Sequence, residues 1–222
     1  MLGLRLRDYQ SDAVNAVVTA VRDGKRRQLI VLPTGAGKTL VAAALSQRTK
    51  GRTLFLCHRD ELVRQALEKF RIVWPDADIG VVKGPQNEPD RRIVIASVQS
   101  LQTARRRAAV FATPPTLIIA DEAHHAPSPS WRTVLEAAGV WPNPEPQRLL
   151  VGVTATPFRG DKIGLGHVFE ETVFRRGIAD LIRAGYLANI RAVRVASRVD
   201  LSRVHMAQAD LVPAEWGRGD PH

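Results

Sequence analysis

A glycine-rich turn between a short apolar run and a helical segment restricts the fold of this chain more than any other feature. The apolar run, 28–32, predicts a strand. Gly35 and Gly37 allow the backbone to curl so that its N–H groups point at phosphate oxygens, and the following helix N-terminus adds a positive partial charge. Lys38 is placed to reach the β- and γ-phosphates, and Thr39 to offer a hydroxyl to Mg²⁺. The predicted nucleotide-binding loop consists of Pro33, Thr34, Gly35, Ala36, Gly37, Lys38 and Thr39.

The loop departs from the strict phosphate-loop pattern at one position, because Leu32 stands where that pattern begins with glycine. A glycine-rich turn that carries Lys38 and Thr39 without a ligand is the alternative interpretation. Since a strand precedes the turn and a helix follows it, as phosphate binding requires, we favour nucleotide binding. A GTPase is disfavoured because the sequence has no Asn-Lys-x-Asp segment to read guanine.

A pair of carboxylates follows another apolar run, 116–120. A phosphate loop needs a metal-holding carboxylate at the end of a nearby strand, and Asp121 is placed to hold Mg²⁺ through a water. Glu122 is placed to take the proton from an attacking water as a general base. The alternative is that both carboxylates cap a helix or lie in a solvated turn. His124 and His125 follow, but adjacent histidines point in different directions, which disfavours zinc.

Short continuous runs of Val, Ile and Leu recur along the chain with helical segments between them. Continuous runs are typical of strands buried on both faces, as in a parallel sheet covered by helices. Helical character is clearest over 8–21, 39–47 and 61–73. The alternation predicts an α/β fold, a doubly wound and mostly parallel sheet with helices on both faces. The predicted strands are 28–32, 53–56, 93–96, 116–120 and 149–153, with 79–82 as a weaker candidate.

The composition indicates a folded chain with polyanionic partners. Of the 222 residues, 45% are hydrophobic, and 32 basic against 22 acidic residues give a formal net charge of +10. Such a surplus favours nucleic acid first and an acidic membrane surface second. The one cysteine, Cys57, excludes an internal disulfide and a cysteine-based zinc site. Because no apolar stretch approaches a membrane span and the N-terminus has no secretory core, we expect a cytoplasmic protein without a membrane partner.

Taken in order, these motifs resemble the first RecA-like motor domain of superfamily 2 helicases and translocases, a P-loop NTPase domain. The box at 121–124 has the Asp-Glu-Ala-His (DEAH) form, and the resemblance extends from about residue 6 to about residue 195. It implies a helicase ATPase that binds ATP and Mg²⁺, with Lys38 and Glu122 as catalytic residues. The sequence of the segments 158–159 and 176–187 is most similar to the type III restriction translocase and excision-repair helicase branch. This resemblance implies DNA rather than RNA as the partner.

Two further segments resemble motifs of this family that read or sense the nucleotide. The segment 6–10 is similar to the adenine-reading segment, in which Gln10, with Arg7 nearby, would contact the base. The alternative is that Gln10 is an exposed helix residue. The segment 152–157 matches motif III in its Thr-Ala-Thr-Pro form. The resemblance implies that Thr154 and Thr156 hydrogen-bond toward His124 and couple the nucleotide state to strand binding, with an ordinary strand exit as the alternative.

Two segments resemble the motifs that contact the nucleic-acid backbone. His58 and Arg59 follow a predicted strand and precede a helix, which allows backbone N–H groups and Arg59 to meet a phosphate. Ser97 and Gln99 are the polar candidates in the second segment. The alternatives are a surface charge at a helix start for Arg59 and a helix cap for Ser97. Basic clusters without an assigned role lie at 25–27, 91–92 and 105–107.

The family's motor consists of two RecA-like domains with ATP between them, and the second supplies arginines that stabilise the transferring phosphoryl group. We expect 1–190 to be the ATP-binding domain and 191–222 a linker or tail, with the second RecA-like domain absent here or supplied in trans. The first hypothesis is an incomplete DNA helicase or translocase motor. The alternative is a catalytically silent module that binds ATP and nucleic acid.

Overall fold

One sheet of eight strands organises the first part of the chain. The computed structural model describes residues 5–58, 60–156, 164–190, 205–207 and 210–212. Arg59, predicted to contact nucleic acid, lies outside the described residues. The strands of the sheet are β1 (Arg27–Val31), β2 (Thr53–Cys57), β3 (Ile79–Lys83), β4 (Gln86–Asn87), β5 (Ile93–Ser97), β6 (Leu117–Asp121), β7 (Leu149–Thr154) and β8 (Glu171–Arg175).

The strand order is β4-β3-β5-β2-β6-β7-β1-β8. All neighbouring strands run parallel except for β4, which pairs antiparallel with β3 at the edge. The α/β class and the mostly parallel sheet are therefore confirmed, and the weaker candidate 79–82 is β3. Each of the other predicted strands is present within one residue of its expected bounds.

Within the described residues, six α-helices and three short 3₁₀ helices accompany the strands. The α-helices are α1 (Asp8–Arg22), α2 (Lys38–Arg48), α3 (Asp60–Val73), α4 (Ala104–Phe111), α5 (Pro129–Ala137) and α6 (Ile178–Arg183). The 3₁₀ helices are Ser100–Gln102, Ala123–His125 and Leu165–His167. None of the helices in the described residues has the length and apolar character to cross a bilayer.

Apolar side chains pack against both faces of the sheet. On β2, Phe55 points into a core shared with α1, α2, α3 and α6, while Leu54 and Leu56 point into a second core shared with α4 and α5. Successive strand residues face opposite sides, so a strand covered by helices on both faces needs an apolar residue at nearly every position. This double burial is the reason that the strand sequences are continuous apolar runs.

The carboxyl ends of the parallel strands lie along one edge of the sheet. In the register of the sheet, Asp121 of β6 pairs with Val153 of β7, and Thr154 of β7 pairs with Val31 of β1. The turn after β1 and the acidic residues after β6 therefore lie on either side of the end of β7. Open α/β sheets bind their ligands outside this edge.

The chain divides into two units, Met1–Ala188 and Asn189–His222. In the second unit the structure describes an antiparallel pair of strands, β9 (His205–Ala207) and β10 (Asp210–Val212). The sequence indicated no strands there, because the apolar pattern weakens after residue 191. The domain bounds expected from the sequence stay a prediction.

Candidate nucleotide-binding site

The glycine-rich turn leaves β1 and enters α2 in a conformation suited to phosphate binding. Gly35 and Gly37 have φ angles of 83° and 79°, in the left-handed region that favours glycine. A Cβ at Gly37 would also lie 2.5 Å from Gln10 Nε2. The Leu40 N–H donates to Gly37 O at 2.9 Å, and α2 begins at Lys38. The turn therefore leads directly into a helix N-terminus, where backbone N–H groups have no partner within the helix.

The first turn of α1 supports this turn from the protein side. Tyr9 Oη donates to Ala36 O at 2.8 Å, and Gln10 Nε2 donates to the same oxygen at 3.0 Å. Gln10 Oε1 accepts a hydrogen bond from the Arg7 N–H at 3.0 Å, and Gln10 is 3% exposed. An exposed position for Gln10 is therefore excluded, while its contact with adenine stays a prediction. The role of Tyr9 has no signal in the sequence, because a tyrosine at a helix start serves equally well as a core residue.

The residues after α6 lie beside the same turn. Arg7 Nη1 donates to Tyr186 O at 3.1 Å, and its guanidinium lies 5.4 Å from the centre of the Tyr186 ring. The Tyr186 ring meets the Tyr9 ring edge to face at 4.9 Å. A Cβ on Gly35 would lie 3.5 Å from Leu187 Cδ2. Arg7 therefore approaches the turn together with Tyr186 and Leu187, which sequence reasoning did not single out as site residues.

One cavity of about 430 Å³ joins the glycine-rich turn to the acidic strand end, and we call it the phosphate-loop cavity. Two predicted loop residues do not line it: Ala36 is fully buried, and Pro33 O accepts the Ala36 N–H at 3.1 Å. Gln65 and Lys69 of α3 were missed, because a polar stripe on a helix is usually a solvated face. The lining residues are Thr34, Gly35, Gly37, Lys38, Thr39, Leu40, Leu62, Gln65, Lys69, Asp121 and Glu122.

Glu122 has an unusual backbone conformation, and its carboxylate lies near a lysine and a histidine. Its φ of 49° is the one positive value among the non-glycine residues that the structure describes, and such values cluster at functional sites. Glu122 Oε1 lies 3.8 Å from Lys38 Nζ. Glu122 Oε2 lies 3.4 Å from His124 Nδ1. The expected general base is thus held between the lysine of the loop and the histidine of its own box.

The two carboxyl groups have pKa values shifted in opposite directions. Burial, and next the negative charge of Glu122, raise the pKa of Asp121 to about 6, although Lys38 acts in the opposite direction. The hydrogen bond with His124 is the main cause of a lowered pKa of Glu122, and the charge of Lys38 adds to it against the effect of burial. The pKa of Glu122 therefore lies below that of Asp121, and Glu122 stays ionised to lower pH, which suits a general base.

The oxygen donors at this end of the cavity fit Mg²⁺. Mg²⁺ takes one or two protein carboxylates together with substrate phosphates and waters, and Asp121 and Thr39 offer a carboxylate and a hydroxyl on the lining. A divalent cation beside the buried Asp121 carboxylate would offset the cost that raises its pKa. Within the described part of the chain, no group of three or more His, Cys, Asp or Glu side chains is arranged to hold a metal ion. Phosphate oxygens and waters would have to complete the ligand set.

His124 contacts Thr154, the last residue of β7, and Thr156, which follows the strand. Its Nδ1 lies 3.2 Å from Thr154 Oγ1 and 3.3 Å from Thr156 Oγ1. The Thr156 N–H donates to Thr154 Oγ1 at 3.2 Å, which holds the two threonines together. The structure thus brings together the three residues that the resemblance implies as a coupling group, and their coupling role stays a prediction.

The strand ends at His58 and at Ser97 to Gln99 form what we call the β2–β5 edge. Ser97 is fully buried, and its Oγ lies 3.0 Å from Ser100 Oγ and accepts the Ser100 N–H at 3.2 Å. The Ser97 hydroxyl is thus used within its own turn, although the residue that caps the following 3₁₀ helix is Gln99. A contact of Ser97 with nucleic acid stays a prediction, and Gln99 is exposed. His58 is half-buried, and its ring stacks on that of His125.

Several arginines of the basic clusters are used inside the fold. Arg92 Nη2 donates to Thr49 O at 2.8 Å, and its guanidinium lies 4.6 Å from the centre of the Trp74 ring. Arg107 Nη1 donates to Leu101 O at 2.8 Å. Some of the arginines that make the chain basic therefore stabilise the fold through contacts with other segments.

The fold defines the class of protein. Solved structures of two helicases share it: the UvsW helicase from bacteriophage T4 has a TM-score of 0.57 with 20% identity, covering 78% of this chain and 61% of that one. The helicase domain of Pyrococcus furiosus Hef has a TM-score of 0.60 with 24% identity, covering 80% of this chain and 40% of that one. These two likenesses show the fold, that of a RecA-like α/β domain.

The family follows from the sequence comparison. The family model described as "Type III restriction enzyme, res subunit" (ResIII) matches residues 3–159, and the chain belongs to this family, the first RecA-like helicase domain of superfamily 2. IRC3 of Saccharomyces cerevisiae, named as an ATP-dependent helicase, is 32% identical over 218 residues, 93% of this chain and 31% of that protein. The DNA 3'-5' translocase XPB2 of Sulfurisphaera tokodaii is 34% identical over 158 residues, 71% of this chain and 32% of that protein. The chain spans about a third of the length of these curated relatives.

Proposed function

We propose that the chain is the ATP-binding motor domain of a DNA helicase or translocase of the DEAH type. The observation that carries the proposal is the phosphate-loop cavity, in which Lys38, Asp121 and Glu122 line one space next to the His124–Thr154 contact. A lysine at a helix N-terminus and a carboxylate pair at a strand end are the groups that phosphoryl transfer requires. Names of relatives that refer to ATP-dependent helicases and DNA translocases support the same activity.

The proposed chemistry is the hydrolysis of ATP to ADP and phosphate. Lys38 and the N–H groups at the start of α2 hold the phosphates by charge-assisted hydrogen bonds. Glu122, ionised because of His124 and Lys38, accepts the proton from the attacking water. When bound, Mg²⁺ neutralises charge that develops on the phosphate oxygens, and Asp121 and Thr39 would hold it.

The nucleic-acid partner is proposed to be DNA, bound along the β2–β5 edge. Arg59, Gln99 and His58 are the side chains proposed to contact its backbone, together with N–H groups at the strand ends. The name of XPB2 and that of the LlaBIII enzyme bound to DNA, a structure with a TM-score of 0.62 and 19% identity that covers 82% of this chain and 16% of that one, support DNA over RNA.

These 222 residues alone are expected to bind ATP and to hydrolyse it slowly. The arginines that stabilise the transferring phosphoryl group are worth roughly 10³–10⁵ in rate, and we assign them to a second RecA-like domain that these residues do not include. A cytoplasmic location stays a prediction, since irc3 of Schizosaccharomyces pombe, 33% identical over 209 residues, is named as mitochondrial.

An ATPase assay with and without duplex DNA tests this proposal. The purified chain should hydrolyse ATP well below about 10 per second, the usual enzyme median, and Lys38→Ala should abolish the residual turnover. Lys50→Ala, which removes an exposed lysine just beyond the other end of α2, is the matched control and should leave turnover unchanged. Nucleotide binding without any Lys38-dependent turnover would favour the silent binding module, and turnover that survives Lys38→Ala would refute the assignment of this cavity.

A further inference from the structure

A stack of histidine rings connects the β2–β5 edge to Glu122. The rings of His58 and His125 lie parallel, with centroids 3.7 Å apart and planes inclined by 12°. The rings of His125 and His124 follow at 4.1 Å with planes inclined by 42°. His124 Nδ1 then lies 3.4 Å from Glu122 Oε2. An unbroken series of contacts therefore runs from the residue after β2 to the proposed general base.

The pairing of strands makes this stack possible. β2 and β6 are hydrogen-bonded neighbours in parallel register, so the residue after β2 and the turn after β6 emerge side by side. At its outer end the stack is supported by Trp131 of α5, which is fully buried and whose Nε1 donates to His58 Nδ1 at 3.5 Å. The His58 ring is therefore in contact with both Trp131 and His125.

The inner end of the stack meets the one strained residue of the site. Glu122 holds a positive φ of 49°, a conformation that a non-glycine residue adopts only where its surroundings impose it. His124 is one of those surroundings, because it contacts Glu122 and both Thr154 and Thr156. The inner end of the stack is therefore in direct contact with the carboxylate of this strained residue.

We propose that His58 and His125 are positioning residues that couple nucleic-acid binding at the β2–β5 edge to the position of Glu122. The inference rests on the proposed function and adds a route to it: a phosphate bound beside His58 shifts the ring stack, and His125 passes the shift to His124. Coupling between two ligands is reciprocal. The factor by which bound DNA changes the affinity for nucleotide must therefore equal the factor by which bound nucleotide changes the affinity for DNA.

The test is the coupling factor between the two ligands, which requires no turnover. The affinity of the chain for a fluorescent duplex oligonucleotide is measured without nucleotide and with a saturating non-hydrolysable ATP analogue plus Mg²⁺. The wild-type ratio is expected to lie within about 5- to 150-fold, the usual range for coupled sites. His125→Ala should bring the ratio close to 1 with little change in nucleotide affinity, whereas His125→Phe, which keeps a stacking ring, should preserve most of it.

Further variants separate coupling from a general structural role. His58→Ala should lower the ratio as His125→Ala does, and the double variant should lose no more than either single variant, because both interrupt one series of contacts. His167→Ala, which removes an exposed histidine outside the stack, is the control and should keep the wild-type ratio. Thermal melts check that each variant is folded. If His125→Ala unfolds, the test relies on His58→Ala and on His125→Phe, provided that their melting temperatures match that of the wild type.

The outcomes distinguish this inference from the proposed function. If the wild-type chain binds no nucleotide or no DNA, the proposed function fails and the inference fails with it. If it binds both and the ratio is 1, or if folded His125→Ala keeps the wild-type ratio, the ring stack does not couple the sites and the proposed function stands without it.

Discussion

The phosphate-loop cavity and the β2–β5 edge both lie at carboxyl ends of parallel strands, but they present their polar side chains differently. In the cavity, Lys38 and Glu122 face a common space and each other at 3.8 Å. At the edge, Ser97 is hydrogen-bonded within its own turn, His58 is stacked on another ring, and Gln99 is exposed. A compact and highly charged ligand such as a triphosphate is bound by charged side chains that converge on one space. An extended nucleic-acid backbone is also bound by main-chain N–H groups of the protein and requires fewer side chains.

Glu122→Gln tests the catalytic half of this comparison and should have the largest effect. The substitution keeps the shape of the side chain but removes the base, and general-base catalysis contributes about 10²–10⁴-fold. Residual turnover, measured with radiolabelled ATP over hours, should fall to the rate of the ATP-only blank, while nucleotide affinity is kept. Glu136→Gln, at an exposed position of α5, is the control. Turnover unchanged in Glu122→Gln would assign the base to another group.

Gly37→Ala tests whether the backbone of the turn, rather than Lys38 alone, makes the cavity. Alanine at a φ of 79° costs about 1–3 kcal/mol, and its Cβ also forces Gln10 Nε2 to move. We expect a lower melting temperature and a loss of nucleotide binding. Gly84→Ala in the β3–β4 turn is the matched control, since φ there is 50° and a Cβ meets open space. It should be less destabilising and leave nucleotide binding intact, and equal effects of both variants on nucleotide binding would contradict this role of the turn.

Tyr9→Phe tests the support of the turn by α1. Removing the hydroxyl that donates to Ala36 O at 2.8 Å should cost about 0.5–1.5 kcal/mol in the free energy of unfolding, with a small loss of nucleotide affinity. Urea unfolding monitored by circular dichroism measures the first quantity. Tyr186→Phe, which removes the hydroxyl of the neighbouring ring, is the comparison and should change stability less. A larger effect in Tyr186→Phe would show that the phosphate loop is held mainly from the α6 side.

Ser97→Ala and Gln99→Ala separate the two kinds of polar residue at the β2–β5 edge, with the smallest effects. Ser97→Ala should lower the free energy of unfolding by about 1 kcal/mol, because it removes a buried hydrogen bond, and should leave DNA affinity unchanged. Gln99→Ala should do the opposite, with unchanged stability and a DNA affinity lowered a few-fold. A lowered DNA affinity in Ser97→Ala, with unchanged DNA affinity in Gln99→Ala, would instead support Ser97 as the residue that contacts nucleic acid.

Much of the central sheet could be predicted from the sequence because its strands are covered on both faces. β8 was missed, since an edge strand with half-exposed residues such as Val173 and Phe174 lacks the continuous apolar run. α4 was not singled out, because Arg105 to Arg107 conceal its short apolar stripe. The length and periodicity of apolar runs in a sequence reflect the burial of side chains. Helices and strands with few buried side chains are therefore difficult to predict.

The candidate site was predictable where chemistry depends on neighbours in sequence. Gly37, Lys38 and Thr39 are adjacent, and their geometry follows from one turn. The stack of His58 on His125 was not predictable, because it joins residues 67 positions apart and depends on the pairing of β2 with β6. The left-handed backbone of Glu122 likewise has no sequence signature, since it is imposed by the surrounding fold.

Calorimetric titration of the chain with a non-hydrolysable ATP analogue and Mg²⁺ tests the central claim most directly. We predict one saturable site in the wild type, a weakened site in Lys38→Ala, and an unchanged site in Lys50→Ala. Removing a charged donor to phosphate costs about 1.5–3 kcal/mol, which corresponds to a loss of about 10- to 150-fold in affinity. Equal affinity in the wild type and Lys38→Ala, or no binding by the folded wild-type chain, would contradict the assignment of the phosphate-loop cavity to a nucleotide.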